Sequence, residues 1–212
     1  MRMAVFAWLV VYGSSLQAQD PARFNREVAE IAASHRGQTA EVVLLGSSSI
    51  KIWSECHACL AEFSVINSGF GGSQTSDLLA HWRVLTVEHN PDLICIYEGD
   101  NDLAAGEHPD SIMLEMVQLV GEIRAEWPEI RLFLVGPKPS PSRMHLAEAY
   151  QRLNGLMLDY CEQQELGFID TWNALQVNGE VPQEWFQADR LHLNDAGYAR
   201  WCEAFRSSLE LE

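Results

Sequence analysis

Five short apolar runs alternate with longer amphipathic segments, and this alternation limits the fold more than any other feature of the chain. The runs are Glu41 to Leu45, Phe63 to Ile66, Leu93 to Tyr97, Arg131 to Val135 and Gly167 to Ile169. They show little polar alternation, as strands do when helices cover both faces of their sheet. Between them, Asp77 to Glu88 carries Leu78, Trp82 and Leu85 at helical spacing, and Asp110 to Glu126 carries Ile112, Met116, Leu119 and Ile123. Leu146 to Glu162 and Asp195 to Leu209 continue the scheme, the last through Tyr198, Trp201, Phe205 and Leu209. Asp20-Pro21 supplies an N-cap and first-turn proline for a leading helix bearing Phe24, Val28 and Ile31. The pattern predicts an α/β fold: a five-stranded parallel sheet in a three-layer α/β/α arrangement. At 212 residues, one domain is expected from the ~100–200 residues usual for a domain.

Folds of this kind place functional loops at the carboxyl ends of their strands. Gly46-Ser47-Ser48-Ser49-Ile50 follows the first run, Asn67-Ser68-Gly69-Phe70-Gly71-Gly72-Ser73 the second and Gly99-Asp100-Asn101-Asp102 the third, while Asp189-Arg190-Leu191-His192 precedes the last helix. These clusters hold the residue types that acyl transfer requires. Ser48, at a strand-to-helix turn, can present its hydroxyl as a nucleophile while its own N–H faces a developing oxyanion. Gly72 lacks a Cβ, so its amide can approach a substrate oxygen, and Asn101 can add its side-chain NH₂. Asp189 and His192 are three apart, close enough for the carboxylate to hold imidazole Nδ1–H and leave Nε2 for the serine. Side chains and amides fill every role, so this chemistry calls for no metal and no organic cofactor. The other histidines, His35, His57, His81, His89, His108 and His145, lack such company. The Gly-x-Ser-x-Gly elbow is not met, because position 50 is Ile, and the glycine loop lacks dinucleotide-binding spacing.

With these four blocks in this order, from about Glu41 to Tyr198, the chain resembles the SGNH (GDSL-type) hydrolase superfamily. The resemblance implies a flavodoxin-like fold, with Ser48 as nucleophile, Gly72 and Asn101 as oxyanion donors, and Asp189 with His192 as acid and base. Ser48 is the member of the serine triplet that stands two after Gly46, as the family's nucleophile does. The departure is Ser47, where the family's Gly-Asp-Ser has Asp; serine keeps a local hydrogen bond but no charge. A secreted bacterial-type esterase is implied, cleaving a short-chain acyl or acetyl ester of a small molecule or carbohydrate. The same site serves an acyltransferase, thioesterase or lysophospholipase, and a non-catalytic glycan-binding module would keep the pocket without needing Ser48.

Lys and Arg total 14 against 30 Asp and Glu, a formal charge of -16, which repels phosphodiester backbones and disfavours nucleic-acid and anionic-membrane partners. Arg2 followed by ten apolar residues, Met3 to Tyr12, and small residues around Ala18 predicts a signal peptide over 1–18, a domain over 19–212, and a secreted or periplasmic protein. The apolar run falls short of the ~20 residues a spanning helix needs, so no stable membrane insertion is expected. Export makes disulfides relevant. Cys56 and Cys59 are read as a surface pair open to a local disulfide, without the second pair zinc would require; Cys95, Cys161 and Cys202 are read as core thiols. Trp53, Phe70, Trp172, Trp185 and Phe186 lie near the rim segments, either lining an acyl slot or sugar platform or packing the core.

Overall fold

Apolar β-branched and leucine-rich runs pair side by side because only a sheet satisfies their backbone amides while burying both faces. In the computed structural model, which describes residues 20–211, they form β1 (Val42–Gly46), β2 (Val65–Gly69), β3 (Leu93–Tyr97), β4 (Arg131–Val135) and β5 (Gly167–Ile169). The signal peptide expected over residues 1–18 lies outside the described residues. All strand pairs are parallel, in the order β2-β1-β3-β4-β5.

Alternate side chains divide between two cores. Val43, Leu45, Ile94, Ile96, Leu132 and Leu134 face one side. There they meet α1 (Asn25–Ser34), α4 (Thr75–Thr86), α6 (Pro109–Glu126) and α7 (Ala147–Gln164). Val42, Leu44, Cys95, Tyr97, Val135 and Ile169 face the other side, covered by α9 (Asp195–Ser208) and the one-turn α3 (Cys56–Cys59). Three short helices, α2 (Ser48–Lys51), α5 (Asp100–Ala104) and α8 (Thr171–Ala174), start directly beyond β1, β3 and β5. As the sequence predicts, Asp20 caps the leading segment by accepting the Ala22 N–H, although its first turn, Pro21–Phe24, is a 3-10 turn ahead of α1.

The second strand begins and ends later than its apolar run predicts, because polar residues at its end have partners inside the fold. Asn67 Nδ2 donates to the Ile50 carbonyl at 2.6 Å, its Oδ1 accepts the Gly69 N–H at 3.0 Å, and the Ser68 hydroxyl donates to the Leu85 carbonyl at 3.2 Å. Local alternation carries no sign of such distant acceptors.

The cysteine assignment is corrected. Cys59 bonds to Cys202 on α9, whereas Cys56 is a free, buried thiol whose Sγ lies 3.8 Å from Asn67 Nδ2. Cys56-His-Ala-Cys59 is therefore not a surface turn: it is a helix turn wedged under α9, with Cys56 facing the sheet. Cys202 is not a core thiol, while Cys95 and Cys161 are.

Around that bridge, Trp53, Tyr97, Tyr198, Trp201 and Phe205 pack ring against ring at centroid distances of 4.9–6.4 Å. Four of the five rim aromatics follow the core alternative, for Trp53, Phe70, Trp172 and Phe186 are buried; Trp185 packs partly buried against the same side as α9. The disulfide constrains the unfolded chain across a separation of 143 residues. Replacing Cys59 and Cys202 together by Ala should lower the unfolding free energy by ~2–4 kcal/mol in a urea titration. Dithiothreitol should have the same effect on the native protein and none on the variant.

Candidate active site

The parallel register lines up the ends of three strands: Gly46 pairs with Gly69 on one side and with Tyr97 on the other. From this row the chain turns into the segments bearing Ser48, Gly72 and Asn101. The turn after β1 is tight. Gly46 has φ 147°, and a Cβ there would lie 2.3 Å from the Tyr97 carbonyl oxygen, so glycine is required by both backbone and space.

Ser48 opens α2, behind an extended Ser47. Ser47 and Ser49 are 1 % and 2 % exposed, and Ser48 alone of the three is partly accessible. Its Oγ lies 2.9 Å from His192 Nε2, and His192 Nδ1 lies 2.6 Å from Asp189 Oδ2. A carboxylate only accepts, so Nδ1 carries the hydrogen and Nε2 of the neutral ring is left to accept from Ser48. Asp189 Oδ1 accepts the N–H groups of Leu191 and His192, both at 3.0 Å. Burial acts to raise the Asp189 carboxyl, but these two amides and the imidazole outweigh it and hold it at about 2. The supporting loop is tied down by Gln187 N–H to the His192 carbonyl at 2.8 Å and Ser142 N–H to the Arg190 carbonyl at 3.1 Å, with Arg190 left-handed at φ 60°. Asn194 then caps α9 through the Gly197 N–H, and Tyr198 on α9 donates to the Ser49 carbonyl at 2.8 Å, locking α9 against α2.

Asn101 Nδ2 donates to the Ser73 carbonyl at 2.9 Å, which sets it beside the Gly72 turn with one amide hydrogen left over. Gly72 is left-handed at φ 83°, and a Cβ there would meet nothing within 4 Å. Its glycine is thus required by backbone conformation, not by crowding from the protein. The N–H groups of Ser48 and Gly72 donate to no described residue. The structure brings Ser48, His192 and Asp189 into one hydrogen-bonded chain, and Asn101 and Gly72 together on the same sheet edge.

A second layer fixes Asn101, and the sequence pattern alone misses it. Arg143, in the segment after β4, donates Nη2 to Asn101 Oδ1 at 3.1 Å and Nη1 to the Asp100 carbonyl at 3.0 Å. It also pairs with the Asp100 carboxylate, which Tyr150, Tyr97 and buried Lys138 contact as well. Burial would raise Asp100, but Lys138 and Arg143 overcome it and hold the carboxyl at about 2. Since Oδ1 of Asn101 is occupied by a guanidinium, its NH₂ is the end that faces the Ser73 side. The available signal was positional: Lys138 and Arg143 follow the one strand among the first four whose carboxyl-end loop had no assigned role.

Carboxylates also lie behind the Gly72 turn. Fully buried Glu98 accepts the Ser73 hydroxyl at 2.5 Å, and burial together with Asp102 pushes it well above the ordinary carboxylate range. Asp102 accepts the Thr75 N–H at 2.8 Å, and burial raises it to about 6.

The strand order β2-β1-β3-β4-β5 is the flavodoxin-like α/β order, and Ser48, His192 and Asp189 form a hydrogen-bonded chain at the carboxyl ends of its strands. Residues 39–200 match the GDSL-like lipase/acylhydrolase family, to which the chain belongs, and it is accordingly an enzyme that acts on ester bonds. No curated protein matches the sequence. Among solved structures, the chain is similar to a GDSL-like lipase from Bacteroides thetaiotaomicron, with a TM-score of 0.72 and 20% identity over 90% of this chain and 98% of that one. A protein from Streptococcus pneumonia, provisionally described as a platelet activating factor, superposes with a TM-score of 0.75 at 18% identity over 89% and 94%. An acetylxylan esterase from Geobacillus stearothermophilus does so with a TM-score of 0.69 at 18% identity over 83% and 96%. At these identities the likeness is one of fold.

Burial separates the three serines sharply enough to be tested chemically. A fluorophosphonate should modify Ser48 alone, as read by peptide mass mapping; a label on Ser47 or Ser49 would displace the assignment.

Proposed function

We propose that the protein is a serine esterase that cleaves short-chain acyl or acetyl esters of small molecules or carbohydrates through an acyl-enzyme. The observation that carries this is the unbroken chain Asp189–His192–Ser48, at 2.6 and 2.9 Å. As Ser48 Oγ attacks the ester carbonyl carbon, His192 Nε2 takes its proton and the carbonyl electron pair moves onto oxygen. The N–H groups of Ser48 and Gly72 and the NH₂ of Asn101 bind that oxyanion. Collapse breaks the bond to the alkoxy oxygen, which leaves as alcohol with the proton from His192. Water then repeats the sequence on the acyl-Ser48, releasing the acid and restoring the serine. Asp189 keeps the ring in one tautomer and stabilises the imidazolium formed at each attack.

A small acyl group is supported by the burial of Trp53, Phe70, Trp172 and Phe186, which removes them as walls of a long acyl slot. The fold likeness to an acetylxylan esterase agrees with an acetylated carbohydrate substrate. Export is part of the same reading, supported by the leader-like residues 1–18 and by a disulfide that needs an oxidising compartment.

Two measurements test the reading. On nitrophenyl esters of graded chain length, Ser48→Ala should lower kcat by ~10⁴–10⁶ with rates highest for acetate, whereas Ser47→Ala and Ser49→Ala should keep substantial activity. A Ser48→Ala protein with native activity would end the proposal. Because Asp189 is held at about 2, its carboxyl stays ionised through the ordinary carboxylate range and should add no step to the kcat/KM profile there on acidification. In Asp189→Asn the imidazolium formed at each attack loses its counter-charge and the ring its fixed tautomer, so kcat should fall by ~10²–10⁴ with a smaller change in KM. Full activity in that variant would make Asp189 a bystander.

A further inference from the structure

Beneath the loop that carries Asn101, three acidic residues from separate elements converge. Asp102 lies on α5, Glu107 follows it in the connection to α6, and Glu115 lies on α6; each brings a carboxylate oxygen within 4.8 Å of the other two. Asp102 is 0 % exposed. Its Oδ1 accepts the Thr75 N–H, but its Oδ2 is buried and has no hydrogen-bond partner among the described residues, and Glu115 Oε2 is in the same condition. Glu107 Oε1 accepts only from the neutral amide of Gln74, at 2.9 Å. The neighbouring cations are committed elsewhere: Arg23 pairs with Asp77, and Lys138 and Arg143 with Asp100.

Bare buried carboxylate oxygens are costly, and three mutually repelling carboxylates add to that cost unless positive charge lies between them. The donors are all hard oxygens, without the imidazole or thiolate that would favour zinc or copper. Carboxylate oxygens gathered this closely can share one hard cation, and Ca²⁺, which accepts about 6–8 oxygen ligands in flexible geometry, suits an irregular three-carboxylate set better than Mg²⁺, which demands a near-ideal octahedron. We propose that Asp102, Glu107 and Glu115 form a calcium-binding site that clamps α5 to α6, with water completing the shell. The ion takes no part in bond breaking. Asp102 is next in sequence to Asn101 and holds the Thr75 amide at the start of α4, so the clamp braces the oxyanion side of the site from behind.

The test uses the full chain, stripped with EDTA and desalted, followed by thermal unfolding and isothermal titration with CaCl₂. One calcium should bind per chain, and Tm should rise by ~5–10 °C at a hundredfold excess over Kd, with a smaller shift from MgCl₂ at the same concentration. In Glu107→Gln and Glu115→Gln, near-isosteric changes at incompletely buried positions, the calcium shift should disappear. The proposal is overturned if the native protein shows neither binding heat nor a Tm shift, as it would if a shared proton relieved the repulsion. It is overturned equally if both variants keep the full shift, as diffuse binding to an acidic surface would give. Neither readout depends on ester hydrolysis.

Discussion

Parallel pairing of β1 with both β2 and β3 is the constraint on which the site depends. Because every strand points the same way, every strand-to-helix turn leaves from one edge, and because the chain reverses its direction of travel across the sheet at β1, the helices after β1 and β3 diverge to opposite faces. A crevice opens there without any element being shaped for it. Ser48 and Asn101 border the crevice because they start the helices after those two strands, and Gly72 joins them from the far side of β1. Asp189 and His192 come from no strand end at all; they are delivered by the loop before α9, whose position is set by the aromatic core and by the Tyr198 bond to the Ser49 carbonyl.

Charge is arranged in two layers behind this edge. Asp100 is buried but surrounded by Lys138, Arg143 and two tyrosines, so its negative charge becomes an anchor for Asn101 instead of a liability. Two residues on, Asp102 is buried with no cation beside it. Two positions of one short helix thus meet the same electrostatic problem in two ways, Asp100 with cationic side chains and Asp102 with the calcium ion proposed above.

The parts of this arrangement visible in the sequence are those whose cause is local or repetitive. Strand β3, the helical stripes through Leu78, Ile112 and Trp201, and the four polar blocks depend on periodicity or on tight turns that neighbouring residues dictate. The hidden parts depend on partners remote along the chain. Asn67 and Ser68 belong to β2 because Ile50 and Leu85 offer carbonyls; Cys59 chooses Cys202 over its neighbour Cys56 because of how α9 crosses α3; Arg143 matters because it reaches Asn101. Disulfide connectivity in particular cannot be counted off spacings. The serine assignment lay between these extremes, since spacing from Gly46 chose Ser48 and burial of its two neighbours supplied an independent reason.

The Cys59–Cys202 bond joins a segment just past Ser48 to one just past His192, residues separated by 144 positions along the chain. When the oxidised chain is unfolded, the two reacting groups remain at the ends of short tethers, so their encounter has an effective concentration set by a few tens of residues, not by the whole length. A nick anywhere in the long loop between the cysteines also leaves the two fragments in one molecule. The bond acts as a memory of which ends belong together.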